Sequence, residues 1–403
     1  MSPSLFDAYV PPDDGYAGTW IGRAWVPGAP GGPSVVIVRP DGVFDITRHA
    51  ATVSALLDLP TPVAFLRTLP ADRRLGAVEE IIRNSDPAER DASRPWLLAP
   101  IDLQAIKAAG VTFASSLLER VVEEQAKGNP ALADEVRAAL TAQIGVDLSK
   151  VKPGSAEAEA LRAALVERGL WSQYLEVGIG PDAEIFTKAQ PGSAVGTGET
   201  IGLHPKSSWN NPEPEVVLAV SSAGAIVGAS LGNDVNLRDF EGRSALLLCK
   251  AKDNNASTAI GPFLRLLDET FTLDDVRAAD ILLRVEGADG YVVEGVSSMS
   301  RISRDPTELV GEMLNRSHQY PDGVVLFLGT MFVPTKERDG GSGGFTHKEG
   351  DVVAIRAGKL GTLVNRIGRS DRAPEWTLGT RALMQSLLAR GLMEAAVRPA
   401  LRP

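Results

Sequence analysis

The sequence predicts an α+β, strand-rich fold with a smaller N-terminal α+β domain and a helical insert. Three observations carry that prediction. Short β-branched runs bounded by turn residues dominate the chain before residue 50 and after Trp171. The 40 glycines and 27 prolines supply many turns and show no Gly-X-Y period. Ala/Glu-rich amphipathic stretches concentrate between residues 112 and 170. A chain of 403 residues with 44% hydrophobic and 23% charged residues can bury a large core, and it is neither fibrous nor largely disordered.

Residues 1–17 are polar and Pro-rich and are expected to form an arm. From residue 18 to 95 the chain reads as a small domain. TWIGRAWV, PSVVIVR and GVFDI are strands, followed by helices in ATVSALLDL, PTPVAFLRTL and LGAVEEIIRNS. Residues 96–403 form the main domain, with its helical insert at about 117–170 and a terminal helix at about 380–398. Asn129-Pro130 supplies an N-cap and a first helical position. After Trp171, IFTK, EVVLAVSS, AIVGASLG, DILLRVEG, YVVEGVSS, GVVLFLG, DVVAIRAG and LGTLVNRI are expected strands. One clear helix interrupts them, opened by Asp305-Pro306-Thr307-Glu308.

Charge and cysteine content exclude several classes. The net charge of −10 and the lack of any Lys/Arg cluster argue against nucleic acid or an anionic membrane as partner. The single cysteine, Cys249, permits no internal disulfide and fits a reducing cytoplasm. A buried structural thiol is the expectation for it. The start has no basic and apolar leader pattern, and no run of about 18 apolar residues exists, so neither a signal peptide nor a membrane span is expected.

The chemistry concentrates in residues 209–262. Glu213 and Glu215 flank Pro214, which disfavours a helix interior, so both project from one face of an extended segment. Two such carboxylates repel unless a cation or proton intervenes, and oxygen-rich sets suit Mg²⁺ or Mn²⁺. An exposed pair is the bland alternative. A hairpin through AIVGAS would add Asp234 as a third carboxylate. Lys250 and Lys252 follow an apolar run; one near a cation can act as acid or base, while two solvated lysines are the alternative.

PEPEVVLAV, GASLGNDVNLRDFEGR, KAKDNNASTAIGPF, VVLFLGTMFVP and FTHKEGDVVAIRAGKLGTLVNRI together resemble the fumarylacetoacetate hydrolase superfamily over about residues 100–367. The resemblance implies a fumarylacetoacetase-like mixed β roll, and Mg²⁺ or Mn²⁺ held by Glu213, Glu215 and Asp234. It makes Lys252 the active-site lysine and sets Arg238, Asp239, Thr330 and Lys188 on substrate-facing motif positions, with a structural role equally open for Lys188. It also implies a homodimer or homotetramer.

One departure bears on activity. The superfamily's C–C hydrolases carry a His–Glu dyad that activates water. Here the matching stretch keeps Glu119 but has Ser116 in place of the histidine. His49, His204, His318 and His347 do not replace it by motif, and a surface position is the expectation for His347. VTFASSLLER and the GTMFVPTKERDGGSGGFTHKEGD loop resemble the branch that dehydrates 2-keto-3-deoxy-pentonates to 2,5-dioxopentanoate. The expected scheme takes Lys252 as base, with Glu119, helped by Ser116, as acid; the reverse assignment and a Schiff base at Lys252 are alternatives. A C–C hydrolase or decarboxylase of acylpyruvates, and a non-catalytic keto-acid binder, are the rival functions.

Overall fold

The computed structural model describes residues 4–394 apart from positions 72, 145–146, 335 and 339–343. The N-terminal strands are β1 (Trp20–Val26), β2 (Gly32–Arg39), β3 (Gly42–Asp45), β4 (Arg74–Gly76) and β5 (Trp96–Leu98). They are followed by β6 (Ala105–Gly110), β7 (Glu184–Ala189), β8 (Thr200–Leu203), β9 (Asn210–Asn211), β10 (Pro214–Val220), β11 (Ile226–Asp234), β12 (Asn236–Leu237) and β13 (Thr258–Leu266). The last five are β14 (Asp280–Glu286), β15 (Val292–Ser298), β16 (Val324–Phe327), β17 (Val352–Ala357) and β18 (Gly361–Arg369). All eight strands expected after Trp171 are present. The expected terminal helix is seen over Thr380–Ala389, and its far end lies outside the described residues.

One large sheet runs β4-β3-β2-β1-β13-β11-β10-β16-β6-β7, with β5 paired to β1. A second sheet runs β15-β14-β17-β18-β8. The N-terminal strands are hydrogen-bonded into the large sheet through β1 and β13, at Trp20↔Arg265 and Ile21↔Leu264. The large sheet curls back on itself, since Val195, just beyond β7, bridges to Ala259 of β13. That curl brings β7 close to β11 although several strands separate them in the sheet.

Alternation along β10 explains its continuous apolar run. Val216, Leu218 and Val220 face the core between the two sheets, with Ile281, Leu283, Val353 and Ile355. Val217 and Ala219 face a second core under the helices Val53–Leu57 and Pro62–Thr68. A strand buried on both faces needs no polar side.

The insert is formed by helices Ala114–Gln125, Ala133–Ile144, Ala156–Glu167 and Gln173–Ile179, around a core that includes Val121, Val122, Leu165 and Leu175. Asn129 does act as a cap, its side chain accepting from the Ala131 N–H, but of a 3₁₀ turn that leads into the helix. Asp305 caps Pro306–Met313 as expected, accepting from the Thr307 N–H. Among the described residues four short helices were not expected: Gln173–Ile179, Arg238–Glu241, Leu248–Lys252 and Leu273–Arg277. Among the described residues no helix is long and apolar enough to cross a membrane.

Candidate metal centre and active-site cleft

The β10–β11 hairpin builds the core of the site. Its turn uses Gly224 at φ +85°, a left-handed conformation open to glycine. The antiparallel register then sets Glu215 opposite Gly232, and the Asp234 N–H bonds the Glu213 carbonyl at 3.0 Å. Period-2 alternation puts Glu213, Glu215 and Asp234 on one face. All three are buried, and a carboxylate oxygen from each lies within 4.8 Å of the others.

Neighbouring strands complete the same end of the sheet. After β16 the Gly329 N–H donates to Glu215 Oε2 at 2.6 Å. Gly329 has φ +90°, and a Cβ there would overlap Thr112 Oγ1. Gly110 of β6 pairs with Glu184 of β7, and the Glu184 carboxylate lies over the space a Gly110 side chain would take. Lys252 ends the helix Leu248–Lys252; its Nζ is 2.7 Å from Glu213 Oε2 and 3.1 Å from Asp234 Oδ1. Arg120 pairs with Glu213, and with Glu123 at 2.7 Å and Glu241 at 3.2 Å. Glu184, Glu213, Glu215, Asp234, Glu241, Lys252, Arg120, Ser116 and Thr330 line a common cleft.

The electrostatics call for a cation. Five carboxyl groups (Glu184, Glu213, Glu215, Asp234, Glu241) face three basic groups (Arg120, Lys188, Lys252), so in the absence of a cation the excess of acids is held as protons on the groups whose pKa is raised. Burial, then the Asp234 and Glu213 carboxylates, holds the Glu215 carboxyl well above the usual range. Burial acts the same way on Glu213, but Arg120 and Lys252 outweigh it and keep that group low. Burial opposes a charged Lys252, yet Asp234, Glu213 and Glu241 outweigh it and raise its pKa. Burial above all pushes Glu184 up to about 7. A set of hard oxygen donors, in which Glu215 gives up its proton when a cation arrives, fits Mg²⁺ or Mn²⁺.

Several expected site residues lie elsewhere. Glu119 does not line the cleft. Both its oxygens are taken by Arg137 at 2.7 and 2.9 Å, and Arg238 adds a contact at 3.1 Å. Burial works against its ionisation, but these arginines keep its pKa low, so it is a poor proton donor. Arg238 stacks over the Trp209 ring at 4.2 Å and pairs with Glu123, behind the cleft. Asp239 accepts from Ser207 Oγ and the Ser208 N–H, both at 2.8 Å, and ties a turn. Lys188 is fully buried behind the triad, 3.1 Å from Asp234 Oδ1 and donating to the Lys252 carbonyl at 2.7 Å. His347 is buried rather than exposed, its Nδ1 3.3 Å from Asp351, and none of the four histidines lines the cleft. Cys249 is exposed, against the expected burial, because the segment Ala245–Lys250 lies at the surface.

The sequence reading missed Arg120, Glu184 and Glu241. For Arg120 a signal existed. It lies four residues after Ser116, so the two share a helix face, while Glu119 and Arg120 diverge by about 100°. Glu184 heads the strand of Phe186 and Lys188 but becomes a site residue only by pairing with Gly110.

Known proteins agree with this architecture. Residues 176–368 match the family described as "Fumarylacetoacetate (FAA) hydrolase C-terminal". The chain is 33% identical over 184 residues to the 2-dehydro-3-deoxy-D-arabinonate dehydratase of Saccharolobus solfataricus, covering 46% of this chain and 58% of that relative. It is 26% identical over 329 residues to a probable 2-keto-3-deoxyxylonate dehydratase of Haloferax volcanii, covering 82% and 93%. Among solved structures, 2-keto-3-deoxy-D-arabinonate dehydratase matches at TM-score 0.61 without ligand and at 0.59 as its complex with magnesium and 2,5-dioxopentanoate. These structures are 21% and 22% identical to this chain, each pairing 87% of it with 99% of the other, a likeness of fold.

Proposed function

We propose that this chain, whose residues 176–368 match the fumarylacetoacetate hydrolase C-terminal family, is a divalent-metal-dependent dehydratase of that superfamily. In this reading it converts a 2-keto-3-deoxy-pentonate to 2,5-dioxopentanoate and water. The observation that supports the reading best is the buried Glu213, Glu215 and Asp234 triad with Lys252 against it and no histidine in the cleft. Water activation for C–C hydrolysis lacks its imidazole here, whereas dehydration needs one base and one acid. Both 2-keto-3-deoxy-pentonate dehydratase relatives point to the same substrate class.

Glu213, Glu215 and Asp234 would hold Mg²⁺ or Mn²⁺, which when bound polarises the 2-keto group and acidifies the C3 protons. Burial works against the charged form of Lys252, and the carboxylates of Asp234, Glu213 and Glu241 offset it. Once their field is neutralised, burial favours the free amine, and Lys252 takes a C3 proton. Glu184, which replaces Glu119 as the acid, gives its proton to the C4 hydroxyl, and that group leaves as water. Lys252 returns its proton to C3 while the Glu184 carboxylate, now ionised, takes a proton from C5. Glu184 gives that proton to C4 of the resulting C4–C5 enol and takes up the enol O–H proton as the aldehyde forms, which restores both groups to their starting states. Arg120, no longer needed by Glu213, pairs with the substrate carboxylate.

The deciding experiment is incubation with 2-keto-3-deoxy-pentonate with and without chelator, assaying 2,5-dioxopentanoate. Metal-dependent product is expected; cleavage of acylpyruvates without dehydration would sink the reading. Two variants test the acid. Turnover is expected to fall as pH rises through about 7, where Glu184 loses its proton, and that alkaline limb should disappear in Glu184→Gln. Gly110→Ala should fold, because only the flexible end of Glu184 must move, yet displace that carboxylate and lower kcat about 100-fold. Unchanged kcat in Gly110→Ala would remove Glu184 from the scheme.

A further inference from the structure

We infer that Asn211 and Asn236 hold an ordered buried water against the outer oxygens of the triad, and so position the metal ligands. The inference rests on the reading of Glu213, Glu215 and Asp234 as a divalent-cation site. It concerns two residues outside the cleft that no part of the proposed reaction uses.

The register carries it. Glu215 opposes Gly232 in β10–β11, the Asp234 N–H bonds the Glu213 carbonyl, and Asn211 opposes Asn236 in β9–β12. Each step moves two residues along both strands, so the small β9–β12 ladder continues the hairpin without a slip. Side chains at that spacing share a face. The next pair on the same face is Trp209 and Arg238, and their contact at 4.2 Å bears out the register. One face thus presents, in order, the acidic triad, an asparagine pair and a Trp–Arg stack.

The asparagine pair is fully buried, with 0% exposure at both residues. Asn211 donates its Nδ2 to the Pro212 carbonyl at 2.9 Å, but its Oδ1 finds no partner. On Asn236 neither Oδ1 nor Nδ2 finds one. Buried amides are almost always satisfied by protein or by water, so three orphaned atoms in one place mark an occupant. An acceptor-only set would suit a cation. The free Nδ2 donor beside two free acceptors suits water, which needs two to four polar partners of both kinds.

The pair lies two strand residues, about 6.8 Å, from Glu213 and Asp234. A water bonded on both sides bridges about 5.5 Å, and side chains that lean along the strand supply the remaining ~1 Å. On that geometry the water meets the carboxylates of Glu213 and Asp234. Groups that orient metal ligands in this way tune affinity by about 10- to 100-fold when removed.

The test uses the full chain stripped of metal. Asn211→Leu and Asn236→Leu keep the side-chain volume and remove the polar atoms. Calorimetric titration with Mg²⁺ and with Mn²⁺ should show affinity lowered about 10- to 100-fold. The metal-free Tm should stay near that of wild type, because the amide and the water it holds are removed together, and replacing both partners by an apolar group of similar shape is nearly neutral. Asn236→Ser, which keeps a hydroxyl for the water, should return affinity to within about threefold of wild type. It also decides the case if a leucine variant folds poorly. Affinity within about twofold of wild type in both leucine variants overturns the inference and leaves the metal-centre reading intact. Wild-type protein that takes up neither ion overturns both.

Discussion

Glu215→Gln is expected to leave the metal-free protein as stable as wild type, to abolish divalent-cation binding, and to lower turnover about a thousandfold. The asymmetry follows from the state of Glu215. Burial and the neighbouring Asp234 and Glu213 carboxylates hold its pKa well above the usual range, so without a cation it keeps its proton. A neutral amide is close in shape and charge to a protonated carboxyl. Its carbonyl oxygen can still accept the Gly329 N–H. Nothing in the metal-free fold is therefore lost. With a cation, the charged oxygen is missing. Lewis-acid stabilisation is worth several kcal/mol, and about 4 kcal/mol corresponds to about three decades in rate. Wild-type Tm should rise with added Mg²⁺, since a ligand at 100 times its Kd stabilises by about 2.7 kcal/mol, and the variant's should not. Affinity in the wild type should also increase with pH, because Glu215 must release its proton to bind. Glu213→Gln is a poorer choice: it strips partners from buried Arg120 and Lys252, and breaking such pairs costs about 3–5 kcal/mol. A Glu215→Gln protein that still binds Mg²⁺ as tightly as wild type would refute the triad.

Lys252→Met should lower kcat about a thousandfold while metal affinity stays level or increases. General-base removal is worth about 10²–10⁴ in rate. The ammonium lies 2.7 Å from Glu213 and 3.1 Å from Asp234, so it competes with any cation for those oxygens, and methionine withdraws that competition. Opposite movement of kcat and metal affinity separates a lysine that reacts from one that only balances charge. Borohydride reduction in the presence of substrate should leave no adduct on Lys252. Mass spectrometry finding one would replace the base with a Schiff base. Glu119→Gln, by comparison, should change kcat only a few-fold, because its carboxylate is bound by Arg137 and Arg238 outside the cleft.

Much of this molecule is legible in one dimension wherever a local pattern has a single structural meaning. The strands after Trp171 announce themselves by β-branched runs between turns. Glu213, Pro214 and Glu215 announce a strand entry with both carboxylates on one face, and the turn after Val220 permits a hairpin, which the fold then uses to return Asp234. β13 was harder: its TAIGPFLRL segment is buried throughout and interrupted by Gly261-Pro262, so it shows neither alternation nor an unbroken β-branched run.

The sequence by itself determined the strand-rich α+β class, the N-terminal strands and the helical character of the stretch before Trp171, and through its family resemblance it pointed to Glu213, Glu215, Asp234 and Lys252. All follow from spacing within one segment or from motifs that keep their order along the chain. Only the tertiary structure decided which residues of the insert face the chemistry. The helix Ala114–Gln125 turns Arg120 toward Glu213 and Glu119 toward Arg137, because adjacent helical positions diverge by about 100° and packing selects which one enters the cleft. It also decided that Glu184 meets the triad, because the large sheet curls until β7 reaches β11, and that Arg238 and Lys188 stand behind the site. Such placements depend on strand pairing and sheet curvature between segments far apart in the chain, which no local pattern records.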